Sequence, residues 1–203
     1  MKFDRYSVEP DPEHRQPSAM QDRSIDPVRG NLLSLPILAG LAALVIIPHW
    51  IIWGVNPVSV ALGEANTWIF LLVLVAGIVI HEAIHGFGWA IAGGLRASDV
   101  KFGVLWGTLT PYAHPRVPIP ARVYRIGASM PGLLMGLLPA LTGIATGIAV
   151  LSFWGAVFLS VAGGDLLVLI KLGTVPGDVL VQDHPTRFGC QIVDPAALAP
   201  PSS

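Results

Sequence analysis

The sequence predicts an all-α membrane protein: a four-span transmembrane helix bundle with a short irregular or β-hairpin segment between spans 2 and 3. Two observations carry this expectation. Hydrophobic residues make up 53% of the 203-residue chain and charged residues only 12%, about half the charge of an ordinary soluble domain, and mean hydropathy is +0.64. Four apolar segments are each long enough to supply the roughly 20 helical residues that a bilayer crossing needs. A net charge of −1 without a basic stripe argues against nucleic acid as a partner. The single cysteine, Cys190, excludes an internal disulfide and a cysteine-ligated zinc site. It reads as a reduced thiol without a role.

Residues 1–31 are polar, rich in Pro, Asp and Arg, and lack an apolar core. They predict a disordered cytosolic tail and no cleavable signal peptide, with the first span kept as an anchor. That span runs from about Leu32 to Gly54, and the second from Thr67 to Gly94. The stretch Ile126–Gly173 is too long for one helix, so a tight hairpin near Leu151–Phe153 is expected to divide it into spans three and four. Pro131 and Pro139 predict a kinked third span. The spacings Gly132/Gly136 and Gly143/Gly147 suit close helix packing. Between spans 2 and 3, Asp99–Pro120 alternates loosely and is rich in proline, so a covered hairpin and a surface loop are both open. Residues 32–173 thus form the membrane domain and 174–203 a cytosolic C-terminal tail, ending in a disordered Pro195–Ser203.

Orientation follows from basic residues. The N-terminal tail holds Lys2, Arg5, Arg15, Arg23 and Arg29, and the segment after span 2 holds Arg96, Lys101, Arg116, Arg122 and Arg125. Lys171 and Arg187 follow span 4, while the connections after spans 1 and 3 have none. All twelve basic residues therefore fall on one side, which predicts that both termini face the cytosol.

The chemistry sits at residues 81–85, His-Glu-Ala-Ile-His. These three ionisable groups are the only ones in the apolar run from Thr67 to Gly94. On a helix, His81 and His85 project from one face about 6 Å apart along the axis. In such a pattern two imidazoles hold zinc and the adjacent Glu82 takes a proton from water. Polar groups in lipid are costly unless used or paired. A catalytic zinc site usually takes a third protein ligand. In span 4 the one buried charge is Asp165, within Val161-Ala-Gly-Gly-Asp-Leu-Leu. His85 and Asp165 lie at depths matching within roughly 3 Å when counted from Gly94 and Leu172. Gly77, Gly88, Gly163 and Gly164 are expected to let the two helices approach. Asp165 is the expected third ligand, and a purely structural carboxylate–histidine pair is the alternative.

The other histidines carry less. His49, beside Trp50 and Trp53, reads as an interfacial structural residue, and His14 lies in the tail. His114, in Pro111-Tyr112-Ala-His-Pro, falls on the zinc side and is a candidate for oxyanion or substrate contact, with Tyr112 beside it. His184 is a weaker candidate of the same kind.

These residues resemble the intramembrane zinc metalloproteases of the site-2 protease type, which carry this motif on a membrane helix and an aspartate ligand on a later one. The whole chain is closer still to the small bacterial membrane proteins of the "putative zincin peptidase" family. The shared features are His81-Glu-Ala-Ile-His-Gly86, Tyr112-Ala-His114 and Gly164-Asp165-Leu-Leu, and the resemblance spans about residues 33–192. It implies zinc as cofactor, a location in the bacterial inner membrane and a membrane-associated peptide or protein as substrate. His81, His85 and Asp165 would be the ligands and Glu82 the catalytic base. The chain departs from the site-2 pattern in having no Asn-Pro element in the span that carries Asp165 and no Asp-Gly after it. No loop is long enough for a PDZ-like domain. A zinc-dependent intramembrane peptidase is therefore the expected function. The alternatives are a non-catalytic metal-binding membrane protein (a sensor or assembly factor) or a hydrolase of a non-peptide substrate. Glu82 beside the ligands favours an enzyme, because binding alone does not require it.

Overall fold

The first apolar segment forms helix α1 (Pro27–Trp53). Its start is set by Asp26, whose carboxylate accepts hydrogen bonds from the Val28 and Arg29 amides, and by proline at the first helical position. Helix α1 therefore begins inside the segment assigned to the N-terminal tail. Gly54, at φ 68°, closes it by donating its amide to Trp50 O, a left-handed cap that glycine adopts freely. The structure, a computed structural model, describes residues 22–63, 66–106, 110–184, 187 and 189–193. The tail of residues 1–21, His14 and Pro195–Ser203 lie outside the described residues.

A short helix, α2 (Pro57–Gly63), follows, in what the sequence suggests is plain loop. Next, α3 (Thr67–Gly93) carries the histidine motif. Asn66 caps the Trp68 amide at 2.9 Å and Gly94 ends the helix in the left-handed region, within one residue of the expected bounds. The proline-rich segment then forms a hairpin, not a surface loop. Strand β1 (Val100–Leu105) pairs antiparallel with β2 (Thr110–Pro115), placing Lys101 opposite His114 and Gly103 opposite Tyr112.

After the two-residue strand β3 (Ile119–Pro120) comes α4 (Ala121–Pro131), a π-helical turn (Gly132–Leu137) and α5 (Leu138–Thr146). The widened turn ends just before Pro139, which has no amide to donate, so the helix absorbs this proline without breaking. The break lies at Gly147–Ile148, earlier than the expected Leu151–Phe153. Gly147 takes φ 77° and donates its amide to Gly143 O, so its backbone freedom sets the turn. Helices α6 (Ala149–Val161) and α7 (Gly163–Leu172) then meet at a 47° bend. The expected single fourth helix is thus a bent pair. Among the described residues, three helices are long and apolar enough to cross a membrane, and the bent pair would make a fourth.

The glycine spacings pack helices, though partly not the expected ones. A Cβ at Gly136 would fall 2.7 Å from Leu159 Cα, and one at Gly155 would strike the Ala140 backbone. These contacts hold α6 against α5 and the π-helical turn. Gly77, however, faces Phe158 of α6, Gly88 faces Gly127 and Met130 of α4, and Gly163 faces Leu38 of α1. Nothing lies within 4 Å of a Cβ at Gly164. None of the four therefore makes the α3–α7 contact expected of them. Gly155→Leu is expected to destabilise the protein by about 1–3 kcal/mol or more through overpacking. Gly40→Ala, which meets nothing within 4 Å, should be neutral or better. Thermal unfolding in detergent compares the two.

The segment assigned to a C-terminal tail is folded up to Val193 among the described residues. Strands β4 (Leu180–Asp183) and β5 (Cys190–Ile192) join β3 in a sheet of order β3-β4-β5. Asp22 bridges to Gln191, and the Arg23 amide donates to Cys190 O. Val181, Cys190, Ile119, Ala121 and Leu172 are buried in one core. Burying this apolar surface offsets the cost of ordering the segment. The Arg125 guanidinium donates to the Leu172 and Val175 carbonyls at the end of α7. This ties α7 to α4. Both sheets sit where α3 and α7 end and α1 and α4 begin.

Burial pushes the Cys190 thiol up to about 12, with the nearby Asp183 charge adding to the effect. A raised value keeps the thiol neutral until pH approaches that figure. Native protein at pH 8 is therefore expected to leave Cys190 unreacted with a thiol reagent, and denaturant to expose it. Rapid reaction in the native state would contradict this burial.

Candidate metal centre

Helix α3 places His81 and His85 on one buried face, with ring centroids 5.0 Å apart. Asp165 lies in the first turn of α7, where unpaired amides favour a negative charge. His81 Nε2 is 3.1 Å from Asp165 Oδ2, and His85 Nε2 is 3.3 Å from Asp165 Oδ1. One ligand atom from each of the three residues falls within 4.8 Å of the others. Ligands about 2.0–2.1 Å from a tetrahedral zinc stand roughly 3.3 Å apart, and both nitrogen–carboxylate distances match that spacing. A structural pair would need one imidazole, whereas here two converge on the same carboxylate.

The surrounding residues orient one ligand. His85 Nδ1 donates to Gly127 O at 3.0 Å, which leaves Nε2 for the metal; ligating histidines usually have such an outer partner. Gly127 has no side chain because the Trp89 indole occupies that space. Trp89 stacks on His85 at 5.6 Å and 16°, and donates Nε1–H to Tyr124 O at 3.2 Å. His81 Nδ1 is buried without a hydrogen-bond partner among the described residues. Two nitrogen donors and one oxygen donor suit zinc, and the residues present fit it.

The cluster opens into a cavity of about 310 Å³ that Glu82, Tyr112 and His114 also line, within the usual range for small-ligand sites. Glu82 follows His81 on α3 and shares this space. His114, on β2, brings Nδ1 to 2.7 Å from Asp183 Oδ2. The Tyr124 hydroxyl donates to Asp183 Oδ1 at 2.5 Å. Tyr112 packs beside His114 with ring centroids 4.4 Å apart, and its ring lies over Gly103, where a Cβ would clash.

His184 lines the same cavity. Desolvation lowers its pKa. His49 has the structural role expected of it. It is fully buried, with Nδ1 2.8 Å from Ser152 Oγ, because α6 covers the face on which it lies. Sequence reasoning missed Asp183, Tyr124, Trp89 and Gly127. A carboxylate in a strand of four residues carries no periodic signal, and a backbone acceptor such as Gly127 O carries none at all.

A helical protein with small sheets at one end, in which the two buried histidines of a His-Glu-x-x-His helix meet a carboxylate from a later helix, has the framework of a zincin. Residues 74–180, more than half of the chain, match the profile of the family described as "putative zincin peptidase", and the chain belongs to that family. No curated protein and no solved structure matches it.

Proposed function

We propose that the protein is a zinc-dependent intramembrane peptidase that hydrolyses a peptide bond of a membrane-associated substrate. The observation that carries this reading is the convergence of His81, His85 and Asp165 beside a cavity that also holds Glu82. When bound, zinc would activate water and polarise the peptide carbonyl. Glu82 takes the proton from the attacking water and returns it to the leaving amine. His85 is kept in its ligating orientation by Gly127 O, and α7 is held in place by Arg125. His114 and Tyr112 contact the substrate or its carbonyl oxygen across the cavity.

In this reading the apolar helices lie in a bilayer as four spans, and the end covered by both sheets faces the cytosol. Support comes from the charges there, since Arg96, Lys101, Arg116, Arg122, Lys171 and Arg187 all belong to segments at that end, as the positive-inside rule requires. After Cys190→Ser, a cysteine at exposed Arg116 is expected to be protected from an impermeant reagent in intact cells. One at exposed Val55 should be labelled. The reverse pattern would invert the orientation.

The activity is tested with purified protein in lipid vesicles and a library of quenched fluorescent apolar peptides. Cleavage that a zinc chelator abolishes and added zinc restores is the expected result. Stoichiometric zinc without cleavage of any member would favour a metal-binding protein.

A further inference from the structure

We propose that Asp183, on the strand after the last helix, is a positioning residue that holds His114 so that its Nε2 faces the carbonyl oxygen of the bound peptide. The inference rests on the peptidase reading and extends the site to the C-terminal sheet. The Asp183 side chain is only 6% exposed, and a carboxylate so buried requires partners. It has two, from different elements. Tyr124 on α4 donates to Oδ1, and His114 Nδ1 on β2 lies 2.7 Å from Oδ2. The second approach is a close charge contact and not an aligned hydrogen bond.

Asp183 is itself fixed. Val181, two residues earlier, is fully buried in the core, and β4 is paired on both sides by β3 and β5. The His114 ring is held by Asp183 at Nδ1 and by Tyr112 on its side. Its remaining ring nitrogen is Nε2, and His114 lines the cavity that contains Glu82 and the three candidate ligands. The Asp183 carboxylate faces Nδ1, so Nε2 is the ring nitrogen left to present an N–H to the cavity. A donor so placed stabilises negative charge developing on a carbonyl oxygen. Both halves of the site hang on α4, because Gly127 O holds His85 and the Tyr124 hydroxyl holds Asp183. The distance between the metal ligands and His114 is thereby set by one helix.

The test uses the zinc-loaded full chain and two probes. One is a phosphinic peptide, whose tetrahedral anion mimics the addition state, and the other is acetohydroxamate, a plain zinc chelator. His114→Ala and Asp183→Asn are each expected to weaken phosphinic peptide binding about 10²-fold, of the order of one lost oxyanion donor. Zinc content and acetohydroxamate affinity should hold. The double variant should bind no more weakly than His114→Ala alone, because Asp183 acts through His114. Asp183→Glu, which keeps the charge, should recover part of the loss. Losses that multiply in the double variant would overturn the inference. So would unchanged phosphinic affinity in His114→Ala, a substitution at a partly exposed strand position that leaves the core intact. If Glu82→Gln abolishes cleavage while both other variants bind the probe normally, this inference alone fails. A wild-type protein that holds no zinc overturns the peptidase reading and this inference together.

Discussion

Replacing Glu82 by Gln is expected to leave one zinc per chain and to lower peptide hydrolysis by about 10²–10⁴-fold, the usual contribution of a positioned acid–base group. The amide has nearly the shape of the carboxylate but cannot accept a proton. Glu82 lies between the histidines in sequence and lines the cavity, yet it is absent from the cluster of converging donors. Metal content and turnover should therefore separate in this variant. Hydrolysis within a few fold of wild type would remove Glu82 from the chemistry, and loss of zinc would make it a ligand.

Replacing His85 by Ala is expected to have the opposite signature, with zinc affinity reduced more than about 100-fold. Outer-shell partners of zinc ligands already contribute about 10–100-fold, and a ligand contributes more. The change also strands neighbours. Asp165 loses one of its two imidazole contacts, and Gly127 O loses its donor. Asp165→Asn tests the third ligand while preserving shape: it should lower zinc affinity while α3 and α7 remain folded. Full occupancy in His85→Ala, measured by elemental analysis after dialysis against a competing chelator, would place the metal elsewhere.

Much of this arrangement was legible in the sequence where a strong local cost forced a single solution. Helix α3 is bounded by Asn66 and Gly94, and an apolar run between two such caps reads as a helix of one length. Asp165 stood out because a lone carboxylate among apolar residues needs a partner, and helical rise alone matched its depth to that of His85. Gly147 was less legible: its glycine spacing suited helix packing as well as a turn, and only its positive φ decides between them. The bend at Ala162 has no proline to mark it. Strands β3, β4 and β5 are too short for alternation to register, so the C-terminal sheet and Asp183 within it were invisible. The neighbours of Gly77, Gly88 and Gly163 depend on how the helices cross, which residue spacing on one helix does not specify.

X-ray absorption at the zinc edge of the metal-loaded protein tests the central claim most directly. The account predicts a first shell of nitrogen and oxygen at about 2.0–2.1 Å, without sulfur, and outer scattering from two imidazoles that falls to one in His81→Ala. A spectrum with a sulfur ligand, or one whose imidazole count is the same in wild type and His81→Ala, would contradict it.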